Sequence, residues 1–342
     1  MSIIQPVKVS ELGEFGLIDR LTEVLASESF AASRERLLVG IGDDAAVWRN
    51  ESAATVATTD TLVAGVHFLL EKTPWNDVGW KAIAVNVSDA AAMGCRPDFA
   101  LVTLGLPADA ETDDIDRLYA GIAEAADAFD VEIAGGDIVR APVTFISVAL
   151  TAQAQLTEDG QPLVLRRNAA KAGDVIAVTG SLGGAAAGLR VVLREKAATE
   201  EERSFVERYQ RPQPRVEEGV LAVEVGLLCG IDLSDGLLRD LGHVCQESGL
   251  GALVGVDTLP IEQGLAGSFG SAEALALAAG GGEDYELLLV GESGRIAELE
   301  GEIDVPLTVI GEMTSDESRK VQLRTATGQG IEVPSEGWDH LA

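Results

Sequence analysis

Three cysteines are all that this chain of 342 residues contains, Cys95, Cys229 and Cys245, and no two stand in a Cys-x-x-Cys pair. That scarcity argues against a disulfide-stapled fold and a thiolate motif, and leaves reduced core residues as their reading. Bases are scarce as well. Lys and Arg number 25 against 56 Asp and Glu, for a net charge of -31. Nucleic acid is thereby disfavoured as a partner, because its phosphates are bound through Lys and Arg. Any anionic small ligand needs cations placed locally. Only six bases are lysines, against nineteen arginines, a balance that a salty cytoplasm would also favour. No apolar run is long enough to cross a bilayer, and no cationic apolar leader opens the chain. The expected location is the cytoplasm, away from membranes.

Hydrophobic residues make up 46% of the chain, enough for sizeable cores, and its length suits two domains. Helical spacing of apolar residues predicts helices over 11–30, 75–93, 113–129, 184–193, 199–209 and 216–225, and from 235 through 247. Strands are predicted over 37–41, 55–59, 99–106, 131–134, 143–152, 175–178, 252–256, 286–290 and 307–310, with a short one closing at Asp232. A polar stretch, 155–162, marks a boundary between domains. Both halves mix strands and helices, so the fold class is α/β (α+β), with two domains, each a mixed sheet covered by helices.

What is present in quantity is acid at strand ends and turns. Seven carboxylates stand in Gly42-Asp43-Asp44, Thr58-Thr59-Asp60, Ser88-Asp89, Gly135-Gly136-Asp137 and Asp232-Leu233-Ser234-Asp235, each beside apolar residues. Unpaired carboxylates near a core are costly to bury. Several converging on one place need cations, and hard oxygen ligands select magnesium or calcium. Adjacent residues on an extended chain point opposite ways, so one of Asp43 and Asp44 faces such a site, with Asp44 favoured. Thr58 and Asp60 share a face by the same rule. Asn86 and Asp89 lie three apart on a helix. Gly135 and Gly136 would let a backbone approach a ligand. Ser234 or Asp235 can cap the helix that follows, whose N-terminus can bind an anion. Gly280-Gly281-Gly282-Glu283-Asp284-Tyr285-Glu286 reads as a tight loop before an apolar strand.

Familiar nucleotide motifs are missing. No Gly-x-x-x-x-Gly-Lys-Ser/Thr occurs, nor a protein-kinase motif set. Gly40-Ile41-Gly42-Asp43-Asp44-Ala45 imitates a dinucleotide fingerprint, but its acids would lie where a pyrophosphate should. Val178-Thr179-Gly180-Ser181-Leu182-Gly183-Gly184 imitates a dehydrogenase start, yet no tyrosine is followed by Lys at the spacing those enzymes need. Phosphate must then be held mainly through metals, which points to phosphoryl transfer.

Taken in order, Gly13-Glu14-Phe15, Gly40–Ala46, Thr59–Phe68, Ala84–Gly94, Gly135-Gly136-Asp137, Ile231–Leu237 and Gly281–Leu287 resemble the thiamine-monophosphate kinases, of the aminoimidazole ribonucleotide synthetase-like superfamily. The resemblance implies an N-terminal domain over 1–154 that binds ATP and magnesium and pairs in a homodimer, and a C-terminal α/β domain over 155–342. It implies ATP as co-substrate and direct transfer of the γ-phosphoryl to thiamine monophosphate. By it, Asp44, Thr58, Thr59, Asp60, Asp89, Asp137, Asp232 and Asp235 look like magnesium ligands, with Asp44, Asp89 and Asp232 central to catalysis. Tyr119, Gly136, Asp137, Arg167 and Ser234 look like nucleotide contacts; His67, Glu283 and Trp338 look like substrate contacts. The alternative is another ATP-dependent synthetase of the superfamily. The reactive Cys and Lys of selenophosphate synthetase and the C-terminal Cys of the hydrogenase-maturation protein have no counterpart. A metal-binding protein without turnover would not need Arg167 or His67.

Overall fold

The computed structural model describes residues 20–21, 37–39, 47–48, 54–194, 199–316, 318–333 and 337. The helix expected over 11–30 lies outside them except at 20 and 21, which are helical. Gly40–Ala46, with Asp43 and Asp44, and Trp338 lie wholly outside. Two compact units emerge, one of residues 1–87 and 97–153, the other of 88–96 and 154–342.

In the first unit, β1 (Leu37–Val39) and β2 (Val47–Trp48) pair antiparallel. The elements β3 (Thr55–Val63), α1 (Trp75–Ala92), β4 (Arg96–Leu106), α2 (Thr112–Ala128), β5 (Glu132–Arg140) and β6 (Phe145–Gln153) follow. The four long strands form one mixed sheet in the order β3-β6-β4-β5, with β3 antiparallel to β6 and β4 parallel to β5. Ile146, Val148, Leu150 and Ala152 alternate along β6 and are buried, as are Val102 and Leu104 of β4. Ile83, Ile115, Leu118 and Ile122 of the two helices are fully buried. Each such side chain contributes about 1.5–3 kcal/mol on burial. The helices meet backbone to backbone: a Cβ on Gly121 would fall 1.9 Å from the Asn76 carbonyl oxygen.

Two strands of this unit run past the ends that the sequence predicts. β3 continues through Asp60 to Val63, and β5 continues through Gly135, Gly136 and Asp137 to Arg140. Every residue of β3 has a partner in β6, and β5 from Gly135 onward is paired with β4. Partners supplied by a neighbouring strand thus override the weak strand preference of glycine. A bulge between Ala100 and Leu101 sets the register there.

The second unit begins with a small hairpin, β7 (Gln155–Leu156) and β8 (Pro162–Leu163), where the sequence read only a polar boundary. Next come β9 (Val175–Thr179), α3 (Gly184–Leu193), α4 (Glu200–Gln210), α5 (Val216–Glu224), β10 (Cys229–Asp232), α6 (Leu237–Ser248) and β11 (Gly251–Gly255). The chain closes with α7 (Leu265–Phe269), α8 (Ser271–Gly280), β12 (Leu287–Gly291), α9 (Ser293–Glu302), β13 (Leu307–Thr314), β14 (Val321–Arg324) and β15 (Gly330–Ile331). Seven strands form a mixed sheet in the order β10-β12-β9-β13-β11-β14-β15. One cluster packs α6 and α8 on Ile176, Val178, Leu288 and Val290; another packs α5 and α9 on Ala177, Leu287 and Leu289. Alternate residues of one strand serve opposite cores, so helices cover both faces. The expected fold class holds in both units.

All three cysteines are buried and free. Burial pushes the thiols of Cys95 and Cys245 up to about 11 and that of Cys229 to about 12, as inert core thiols require. Among the described residues no helix is long and apolar enough to cross a membrane.

Candidate active site

The two segments that were richest in signal lie side by side in the second unit. Beyond the paired ends of β10 and β12, Leu233 donates its N–H to the Glu286 carbonyl at 2.8 Å. Tyr285 donates to Leu233 at 2.9 Å, and Glu283 to Ser234 at 2.8 Å. This backbone ladder places Glu283 next to the Asp232-Leu233-Ser234-Asp235 run. Gly282 has to be small, because a Cβ there would sit 2.6 Å from the Ser234 carbonyl oxygen.

Asp232 is 3% exposed at the end of β10. Ser88, fully buried near the end of α1 and packed into this unit, donates its hydroxyl to Asp232 Oδ2 at 2.7 Å. Asp89 follows on the same helix and is half-buried. The cap of α6 differs from the sequence expectation. Gly236, which has no side chain to cap with, occupies the cap position in place of Ser234 or Asp235. Asp240 of the first turn instead accepts the backbone N–H groups of Asp235 at 3.1 Å and Gly236 at 3.0 Å. Asp240 is 2% exposed. Burial, followed by the negative charges of Asp232 and Asp235, pushes its carboxyl up to about 8. Ligand atoms of Asp235, Asp240 and His243 lie within 4.8 Å of one another. Two carboxylates and an imidazole, with the charge of Asp232 acting on Asp240, offer donors that fit a divalent cation such as magnesium. Sequence reasoning missed Asp240 and His243, whose three-residue spacing on a helix was the available signal.

The first unit presents the remaining candidates separately. The Asp60 N–H donates to Asn86 Oδ1 at 3.0 Å, and Asn86 Nδ2 donates to the Ala82 carbonyl. Asp60 pairs with Val148 and Thr58 with Leu150, both buried, so Thr58 and Asp60 project on the helix-covered side of the sheet. Thr59 projects on the other side. Asp137 pairs with Thr103 and shares the uncovered face with Leu101 and Val139. Asp60 and Asp137 thus lie on opposite edges and opposite faces of one sheet. Three strand spacings of about 4.8 Å separate them by roughly 14 Å. This unit alone does not bring those two acids together. Gly136 is explained by the neighbouring strand, since a Cβ would fall 1.9 Å from the Val102 carbonyl oxygen.

His67 closes a tight turn, with its Nδ1 accepting the Val63 N–H at 3.0 Å, which leaves the proton of the neutral ring on Nε2. Tyr119 is 6% exposed on α2, and burial raises its hydroxyl well above the ordinary range. Arg167 is exposed in the second unit, and its carbonyl accepts the Ser248 hydroxyl at 2.8 Å.

Both units match descriptions of known domains: AIR synthase related protein, N-terminal domain, over residues 42–154, and its C-terminal domain over 171–324. The chain is therefore an AIR synthase-related protein of two domains. Within that class it belongs to the thiamine-monophosphate kinase family. It is 36% identical over 338 residues to the thiamine-monophosphate kinase of Salmonella typhimurium, spanning 96% of this chain and 98% of that one. The crystal structure of thiamine-monophosphate kinase from Stenotrophomonas maltophilia K279a superposes with a TM-score of 0.78 at 36% identity, covering 95% and 98% of the two chains. AaThiL complexed with AMPPCP and TMP gives 0.75 at 33% identity, covering 98% and 99%.

Proposed function

We propose that this protein is a thiamine-phosphate kinase that phosphorylates thiamine monophosphate to thiamine diphosphate, with ATP as co-substrate. The observation that carries the reading is the crowding of buried Asp232 with Asp235 and Asp240 beside Glu283, in a chain of this family. The likeness to AaThiL complexed with AMPPCP, an ATP analogue, and TMP supports both substrates.

Magnesium held by Asp44, Thr58, Thr59, Asp60, Asp89, Asp137, Asp232 and Asp235 would neutralise phosphate charge. Tyr119, Gly136, Asp137, Arg167 and Ser234 contact the nucleotide; His67, Glu283 and Trp338 contact thiamine monophosphate. The acceptor phosphate is already ionised near neutral pH, so its oxygen attacks the γ-phosphorus in line without a strong protein base. The P–O bond to ADP breaks as the new P–O bond forms, and no phosphoenzyme intervenes. Arg167 supplies fixed positive charge to the nucleotide. The first domain pairs in a homodimer; the uncovered sheet face, with Leu101 39% and Val139 38% exposed, supports this. The protein acts in the cytoplasm, where ATP is at hand.

A coupled assay for ADP release tests the reading. ADP release that requires both thiamine monophosphate and magnesium is expected. Release at the same rate without thiamine monophosphate would overturn it.

A further inference from the structure

The Glu283-Asp284-Tyr285 tripeptide holds an unusual backbone. Glu283 has φ 70° and Tyr285 φ 50°, two of the four non-glycine residues with positive φ among those described. A Cβ disfavours that region, so the surroundings must impose it. Two acids on this short strip, Asp284 and Glu286, tie it to other elements of the second unit. Asp284 accepts the backbone N–H of Gly183 at 2.7 Å through one carboxylate oxygen and that of Ala185 at 3.1 Å through the other. Those groups open α3, whose cap position is Gly183 and offers no side chain. A residue about a hundred positions away thus caps this helix. Glu286, 1% exposed, takes two bonds of 2.6 Å from Arg215 and one of 2.7 Å from the Thr179 hydroxyl. Glu283 stands between Gly282 and this anchored pair, with its backbone N–H held by the Ser234 carbonyl.

We propose that Asp284 is a positioning residue for the acceptor substrate: by clamping the tripeptide onto the start of α3, it fixes the backbone from which Glu283 meets thiamine monophosphate. This rests on the reading of Glu283 as a substrate contact. The strain at Glu283 and Tyr285 is sustained by the Asp284 and Glu286 anchors on the same strip.

The test is a kinetic cycle on the full-length enzyme with Glu283→Gln, Asp284→Ala and the double variant. Asp284→Ala is expected to raise KM for thiamine monophosphate at least about tenfold, with KM for ATP held within about twofold. Asp284→Asn, which retains one acceptor oxygen, should recover most of the loss. Adding Asp284→Ala to Glu283→Gln should raise KM no further, because the two act through one contact. Unchanged KM for thiamine monophosphate in Asp284→Ala, parallel rises for both substrates, or multiplying effects in the double variant would each overturn the proposal. If Glu283→Gln alone leaves KM unchanged, the substrate role of Glu283 falls and this inference with it. If Glu283→Gln raises KM while Asp284→Ala does not, this inference alone falls. Should Asp284→Ala fail to fold, Asp284→Asn in both Glu283 backgrounds carries the same comparison, with a rise of about threefold expected that vanishes beside Glu283→Gln.

Discussion

At the scale of single residues, the second unit sets stability against chemistry. Asp232 is buried, takes a hydroxyl bond from Ser88, and adds to the negative potential at Asp240. Asn at position 232 would keep the Ser88 bond and remove the charge. Asp232→Asn is therefore expected to lower kcat by about two orders of magnitude or more, as loss of the magnesium ligand proposed there would. In chelator its melting temperature should be equal to or above that of the wild type, because a like-charge repulsion is gone. Loss of both activity and melting temperature would mark the residue as structural. Asp284 carries a pH signature. Burial, only partly offset by the Gly183 and Ala185 N–H groups, raises its carboxyl from 3.8 to about 7. The fold favours the neutral form, so the stability contribution is full below 3.8 and is lost as pH climbs through about 7. Between about pH 4 and about pH 8, the wild type should lose melting temperature relative to Asp284→Asn. A difference that stays constant across that range would refute the assignment.

At the scale of elements, close backbone crossings decide placement. α1 and α2 touch where Gly79 and Gly121 lack side chains, and a Cβ on Gly121 would meet the Asn76 carbonyl. Neither helix can shift alone, since each also covers the sheet. Gly121→Ala should destabilise the protein by about 1–3 kcal/mol or more, as overpacking does, read as a lower denaturation midpoint with unchanged slope. A neutral outcome would mean the helices separate freely. Most elements were legible in the sequence because apolar periodicity is local: α1, α2 and β9 begin and end within a few residues of expectation. Asp232–Asp235 and Gly281–Glu286 were legible too, because compact acidic turns beside glycines are rare in ordinary loops. Their mutual pairing was not, since registry between β10 and β12 is written in neither segment. The caps escaped for the same reason. Both cap positions hold glycine, Gly183 and Gly236, and the capping acids stand elsewhere, at Asp284 and Asp240. The opposed faces of Asp60 and Asp137 follow from strand pairing and the bulge beside Leu101, which alternation along one strand cannot reveal.

At the scale of the whole molecule, a net charge of -31 works against compactness, and any cation that binds only the folded chain relieves it. Screening and site binding have different signatures. Simple salt weakens repulsion everywhere in proportion to ionic strength. A divalent ion held by Asp232, Asp235 and Asp240 adds a saturable gain, about 2.7 kcal/mol when free magnesium is about a hundredfold above its dissociation constant. Thermal unfolding in magnesium chloride and in potassium chloride of equal ionic strength separates them. Magnesium should raise the melting temperature beyond potassium and reach a plateau, and Asp232→Asn should lose most of that excess while keeping the potassium response. Identical curves for the two salts would reduce the acidic cluster to surface charge. An excess that survives Asp232→Asn would move the ion to other carboxylates.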